Sequence, residues 1–273
     1  MKPLIIYHSN CADGFSAAWC FWRQYRDEAE YYPGKYQEAP PDVTDREVYL
    51  VDFSYKRDVV TEMVSKASRV VLIDHHKSAL EDLKDLPGLH YYTDINRSGA
   101  KLAWDFLYPG EDAPQVLKHV QDRDLWKFEI PRTREISAYV FSLEYTFENW
   151  DIIMTASPVE IIAMSHAGLA IERKHHKDIG ELLKSVHRRM TIGGYEVPAA
   201  NLPYTMSSDA GNIMAQGESF AACYMDTATH RVFSLRSTDD GVDVSVIAAG
   251  YGGGGHRNAS GFKVPRDHAL AKV

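Results

Sequence analysis

Three short apolar runs near the start of the chain each stop at an acidic residue or a histidine. Ile5-Ile6-Tyr7 runs into His8, then Asn10, Cys11 and Asp13. Leu50-Val51 runs into Asp52, and Val71-Leu72-Ile73 runs into Asp74-His75-His76. Such runs are too short for helices of their own, and helix-period segments separate them, so they read as buried strands. Residues 14–25, the stretch with Val59, Met63 and Val64, residues 100–107 and residues 115–120 supply the helices. Leu89 to Tyr92 reads as one further strand. Alternating strands and helices predict βαβ units and an α/β fold with a mainly parallel sheet. Ligands bind outside the carboxyl ends of strands in an open parallel sheet, so the residues that end the three runs are expected to meet.

The pattern changes after residue 150. Ser157 reads as an N-cap, with Pro158 at the first helical position and Glu160 completing a capping box. Ile179, Leu182, Leu183, Val186 and Met190 continue at helical spacing, which predicts a long helix or helix pair over 157–190. Residues 192–195 read as a tight turn, and 220–225, 231–235 and 242–246 as strands of a smaller domain with a mixed sheet. The expected division is 1–150, a helical connector at 151–190, and 191–273. With 45% hydrophobic and 25% charged residues, a disordered chain is excluded. A net charge of −8 argues against a basic nucleic-acid coat but leaves room for a local phosphate pocket. Three cysteines without a CxxC pair fit neither a disulfide framework nor a zinc finger. The N-terminal apolar run ends at His8, too soon for a signal peptide or a membrane span. A soluble, cytoplasmic protein with no membrane partner is expected.

Asp and His together suit a borderline divalent ion such as Mn²⁺, Zn²⁺, Fe²⁺ or Co²⁺ better than carboxylates alone would. Packed carboxylates repel one another unless a cation neutralises them. A two-metal centre activates water and stabilises the leaving oxygen in phosphoester hydrolysis. A single Asp after a strand is more often a cap, and Asp52 taken alone reads that way. Three strand ends read jointly favour a site. Asp122-Arg123-Asp124 offers another carboxylate, with a salt-bridged surface turn as the alternative. Gly252 to Gly255, followed by His256 and Arg257, suits a phosphate cradle, since glycine backbone approaches a ligand closely. His175-His176 reads as a solvated helix face. Tyr145, Phe147 and Trp150 read as core rather than as a stacking platform for a base.

Taken together, His8 to Gly14 (HSNCADG), Val51-Asp52, Asp74-His75-His76, Ser234-Leu235-Arg236-Ser237 and the GGGGHRNASG run resemble the DHH–DHHA1 phosphoesterases, in that family's order and across nearly the whole chain. The resemblance implies an N-terminal DHH domain that binds metal and a smaller C-terminal DHHA1 α/β domain that grips substrate. It implies two Mn²⁺ ions, with Mg²⁺, Co²⁺ or Fe²⁺ as alternatives. Asp52 would bridge them, His8 would bind the first, and Asp13 and His75 the second. His76 would sit near the scissile phosphate, and Asp74 would orient the histidines. A further Asp ligand would be Asp122 or Asp124, with Asp122 preferred. Ser98, Arg236, Ser237, Gly253, Gly254, Gly255, His256 and Arg257 would face substrate. Cys11 stands where the family usually has a first aspartate. It could bind as thiolate, be replaced by water, or leave one ion sufficient; a weakened but occupied first site is preferred.

The expected activity is metal-dependent hydrolysis of short oligonucleotides or linear dinucleotides to mononucleotides. The alternatives are a RecJ-like single-strand exonuclease of 5′→3′ polarity, a small-molecule nucleotide phosphatase and, least favoured, a nucleic-acid-binding protein that has lost catalysis. Whether the chain is a monomer or a homodimer stays open.

Overall fold

The computed structural model describes residues 1–272. The chain forms two compact units that divide between Glu172 and Arg173. The first contains β1 (Leu4–His8), α1 (Ala12–Tyr25), β2 (Glu30–Gly34), β3 (Glu47–Val51), α2 (Arg57–Lys66), β4 (Arg69–Asp74), α3 (Lys77–Asp82), β5 (Leu89–Thr93), α4 (Gly99–Leu107), α5 (Gln115–Asp124), α6 (Thr133–Phe141) and α7 (Phe147–Met154). The unit boundary falls inside α8 (Pro158–Val186). Then come β6 (His187–Ile192), β7 (Tyr195–Asn201), α9 (Ser207–Met214), β8 (Ala221–Asp226), β9 (His230–Arg236), α10 (Val244–Ala249), β10 (Gly254–Gly255) and β11 (Ala259–Pro265).

The first sheet has the order β2-β1-β3-β4-β5, with every pair parallel. Its continuous apolar strands have a simple cause: both faces are covered. Ile5, Tyr49, Val51, Val71 and Ile73 face one core, with Trp19, Phe21 and Trp104. Leu4, Ile6, Val48, Leu50, Val70 and Leu72 face another, with Phe53 and Met63. The chain leaves β1 for β2 on one side and later returns to place β3 on the other. That reversal opens a crevice at the carboxyl ends of β1 and β3, where α/β sheets bind ligands. The strand β2 was not expected from sequence. It lies at the sheet edge, and its polar and proline residues do not produce an apolar run.

The second sheet has the order β10-β11-β9-β8-β7-β6 and is antiparallel except for the β7–β8 pair. Gly193 and Gly194 both take positive φ, at 59° and 86°, which makes the expected tight turn between β6 and β7. The capping box forms: the Ser157 amide donates to Glu160 at 2.7 Å, and the Glu160 amide donates to Ser157 Oγ at 3.4 Å. Two expectations fail. The long helix stops at Val186 rather than near 190, because His187 to Ile192 pair with β7. Residues 242–246 are not a strand. Asp243 accepts the Ser245 amide at 3.0 Å and starts α10 instead. Among the described residues, no single helix is long and apolar enough to cross a membrane.

Candidate metal centre

The three strand ends meet. His8 ends β1, Asp52 follows β3, and Asp74-His75-His76 lies at the end of β4. Asp52 has φ 53°, a left-handed conformation that Asp tolerates better than most residues. Its amide donates to the Ile73 carbonyl at 2.9 Å, which fixes the turn after β3. The carboxylate is 1% exposed and lies between three histidines. Oδ2 is 3.5 Å from His8 Nδ1. Oδ1 is 3.2 Å from His75 Nε2 and 3.8 Å from His76 Nδ1. Gly99 makes the space: a Cβ there would come within 2.4 Å of Asp52 Cβ. Gly14 does the same for His8, since a Cβ would meet the His8 carbonyl at 2.5 Å.

Asp13, in the first turn of α1, reaches the start of α4. Its carboxylate accepts the Gly99 amide at 2.6 Å and the Ala100 amide at 3.2 Å. A helix N-terminus stabilises an anion placed there. Asp13 Oδ2 is also 3.9 Å from His75 Nε2. Asp74 accepts the His75 and His76 amides, at 2.7 and 3.2 Å, and binds His76 Nδ1 at 2.7 Å. It therefore orients both histidines from behind.

The choice between Asp122 and Asp124 resolves in geometric terms against the preference stated from sequence. Asp124, the last residue of α5, puts Oδ2 3.5 Å from His75 Nε2. Asp122 is turned into the protein, where its carboxylate accepts the Glu129 and Ile130 amides at 2.9 and 3.0 Å and the Thr133 hydroxyl at 2.6 Å. It holds the turn after α5. Residues two apart on a helix point to nearly opposite sides, so only one of the pair can face the cluster.

The charges conflict. Burial pushes the Asp13 carboxyl well above its ordinary range, and the Asp124 and Asp52 carboxylates push the same way against His75. Asp124 is raised by burial and by Asp52, against His75 and His76. For Asp52, burial is overcome by His75, His8 and His76, which hold it well below that range. Burial opposes protonation of His75, yet the Asp52, Asp124 and Asp13 carboxylates lift it to about 10. Carboxylates forced toward protonation indicate unbalanced negative charge. His8 Nδ1, both Asp52 oxygens and Asp124 Oδ2 are buried without a hydrogen-bond partner of good geometry. Buried polar atoms are normally paired, and such orphans are what a bound cation would satisfy. The possible ligand atoms fall into sets that lie within 4.8 Å of one another: His8, Cys11 and Asp52; Asp13, His75 and Asp124; and Asp52, Asp74, His75 and His76. These residues fit a bound divalent cation.

Ser98 was expected beside substrate. It is fully buried and caps α4, with Oγ accepting the Lys101 amide at 3.4 Å, so its side chain does not line an open surface. Tyr36 was missed by sequence reasoning. Its ring lies 5.2 Å from that of His8 and 4.9 Å from Phe53, and a lone loop tyrosine gives no signal in sequence. Tyr145, Phe147 and Trp150 pack on Phe15, as core aromatics.

Within the second unit, the expected substrate residues gather at one end of the sheet, where Arg236 pairs with Ala259 and Gly254 with Gly261. Arg236 donates to Ser208 Oγ and the Leu235 carbonyl, both at 2.8 Å. Arg257 donates to the Asp239 and Gly241 carbonyls at 3.2 and 3.0 Å. Ser237 is 3% exposed, and its hydroxyl points to the Arg257 carbonyl. Two glycines of the run have no room for a side chain: a Cβ on Gly253 would meet the Gly261 carbonyl at 2.1 Å, and one on Gly255, which has φ 139°, would meet the Ala259 carbonyl at 2.6 Å. The His256 amide donates to the Ala259 carbonyl at 2.8 Å. His175 in α8 lies 3.1 Å from Asp209 in α9, which pairs it rather than leaving it on a solvated face.

No family model matches the chain. It is 30% identical over 285 residues to the uncharacterized protein R106 of Acanthamoeba polyphaga mimivirus, covering 95% of this chain and 66% of that protein. The chain thus spans just under two thirds of that relative. Among solved structures, the DHH domain of a protein described as a member of the s1p family of ribosomal proteins matches with a TM-score of 0.60 at 12% identity, over 97% of this chain and 83% of the other. RecJ of Thermus thermophilus in complex with Mn²⁺ matches at 0.56 and 13%, over 99% and 50%. A pGpG-specific phosphodiesterase from Vibrio cholerae matches at 0.51 and 15%, over 97% and 94%. At such identities the likeness speaks for architecture, and it agrees with the parallel sheet, the mixed sheet and the strand-end cluster: this chain has the DHH–DHHA1 phosphoesterase fold.

Proposed function

We propose that the chain is a metal-dependent phosphodiesterase that hydrolyses short oligonucleotides or linear dinucleotides to mononucleotides. The observation that supports this best is Asp52, a buried carboxylate with both oxygens lacking hydrogen-bond partners, one facing His8 and the other His75. In this reading two Mn²⁺ ions are held by His8, Asp13, Asp52, His75 and Asp124. When bound, such a pair supplies an activated water and stabilises the leaving oxygen. The protein's own groups position the reaction. Asp74 takes Nδ1 of His76, which leaves proton exchange with the leaving oxygen to Nε2. Asp13 is held in place by two amides of α4 and keeps its side of the centre rigid.

Residues 1–150 act in this proposal as the catalytic domain, 151–190 as connector, and 191–273 as the substrate domain. Arg236, Ser237, Gly253, Gly254, Gly255, His256 and Arg257 grip phosphate. The internal hydrogen bonds of Arg236 and Arg257 fix the two guanidiniums. Recognition then rests on phosphate more than on base. A net charge of −8 favours a short substrate over a long strand, which would want an extended basic groove.

The test is Mn²⁺-dependent hydrolysis of end-labelled RNA and DNA, from dinucleotides to roughly 20 nucleotides, with Asp52→Asn alongside. Activity greatest on the shortest substrates and lost in the variant is expected. Activity that grows with length replaces this reading with a RecJ-like exonuclease. Hydrolysis of no diester with any divalent ion overturns it.

A further inference from the structure

The two sides of the Asp52 carboxylate face different donor sets. On the Oδ1 side are the imidazoles of His75 and His76, with the Asp13 and Asp124 carboxylates grouped about His75. On the Oδ2 side is His8 Nδ1, and a ring nitrogen of His8, the sulfur of Cys11 and an Asp52 oxygen all lie within 4.8 Å of one another. Cys11 reaches this place through backbone geometry. It is the extended N-cap residue of α1, with φ −124° and ψ 131°, and its carbonyl accepts the Phe15 amide at 2.9 Å. The loop after β1 therefore turns the Cys11 side chain back toward the strand end that carries His8.

Cys11 does not sit there alone. Asp52 is 1% exposed, with no hydrogen-bond partner for either oxygen, and His8 Nδ1 is a buried orphan as well. The other two cysteines have plain packing roles. Cys20 is fully buried in α1, with its sulfur 3.8 Å from the Ala100 carbonyl, and Cys223 is buried in β8. Thiolate is a soft ligand and selects borderline or soft ions, whereas carboxylate selects hard ones. An imidazole, a thiolate and a carboxylate form a three-ligand set of the kind that holds zinc with one position left for water or substrate.

We infer that the centre is asymmetric: Cys11 is a metal ligand, and the His8–Cys11–Asp52 side takes a softer ion, such as Zn²⁺ or Co²⁺, than the Asp13–His75–Asp124 side. On binding, a sulfur–metal bond forms and the thiol proton passes to solvent. No electron is transferred. The inference rests on the metal-centre reading above and refines it.

Co²⁺ is the probe, because its thiolate complexes absorb in the near ultraviolet by charge transfer from sulfur, whereas its imidazole and carboxylate complexes do not. The full chain, stripped with chelator, is titrated with Co²⁺ while bound metal is counted by equilibrium dialysis. The expected result is a charge-transfer band that saturates with one of the bound ions. The band is lost in Cys11→Ser and kept in Cys20→Ser and Cys223→Ser. Cys11→Asp, which offers an oxygen instead, should bind the same number of ions without the band and shift competition between Zn²⁺ and Mn²⁺ toward Mn²⁺. Co²⁺ bound by the wild-type chain with no thiolate band overturns the role of Cys11 and leaves the metal centre standing. No Co²⁺ bound at all overturns both. Because the first comparison needs only the wild-type chain, misfolding of a variant does not rescue the inference.

Discussion

Asp52 in the first unit and Arg231 in the second are both buried and charged, and the fold treats them in opposite ways. Arg231 is 6% exposed and fully engaged: Nε and Nη2 donate to the two oxygens of Asp226 at 2.7 and 3.0 Å, Nη1 donates to the Leu270 carbonyl at 3.0 Å, and the guanidinium lies 4.3 Å over the Tyr224 ring. Asp52 has histidines nearby but no hydrogen bond of good geometry. Where a charge serves stability, the chain supplies its partners. Where it does not, the unpaired atoms mark a place for something from outside, and the metal-free protein is less stable for carrying them.

Asp52→Asn tests this contrast most strongly. Asn also accepts a left-handed backbone, so the turn survives. Activity should fall by roughly 10³-fold or more, while the melting temperature of the metal-free protein should hold or rise. A large drop in that temperature would mean that Asp52 is a structural residue like Arg231. Asp124 and Asp122 repeat the contrast within one helix turn. Asp124→Asn should weaken Mn²⁺ binding by about 10-fold or more with little effect on metal-free stability. Asp122→Ala should instead cost about 3 kcal/mol of stability, because two backbone amides and the buried Thr133 hydroxyl lose a charged acceptor. Calorimetric titration with Mn²⁺ and denaturant unfolding read the two; reversed outcomes would exchange their roles.

Gly253→Ala carries the comparison into the second unit. The Cβ has no room against the Gly261 carbonyl, so unfolding should become easier by about 1–3 kcal/mol, with metal binding untouched. The smallest effect concerns acid. Arg231, helped by Arg266, holds Asp226 well below the usual carboxylate range. A carboxylate depressed on folding adds stability above its unfolded value, near 3.9, and that stability is lost as pH falls through the folded value. Asp226→Asn should therefore narrow the stability gap from wild type as pH drops below about 4. A gap constant from pH 7 to pH 2 would show that the pair adds no pH-dependent stability.

The sequence made the first sheet legible because β1, β3 and β4 are apolar on both faces and end abruptly in ligand-type residues. It concealed β2, whose edge position permits Glu30 and Pro33. It misled at 242–246, where Val242, Val244 and Val246 alternate as in a strand while Asp243 caps a helix. The strand-end His and Asp residues were readable as a cluster, but spacing alone cannot say which of Asp122 and Asp124 turns inward. That depends on how the chain after α5 folds back to place the Glu129 and Ile130 amides. Gly99 gave no sign of its part either, since the contact that forbids a side chain there crosses from α4 to the end of β3.

The hydrogen bonds from Gly99 and Ala100 to Asp13 have a consequence for observing the protein at work. The carboxylate that would hold an ion is also the one that closes the first turn of α4. An ion drawing on its oxygens competes with those two amides for the same electron density. The hydrogen-exchange rates of Gly99 and Ala100 thus become a gauge of occupancy, one that can be followed residue by residue without substrate.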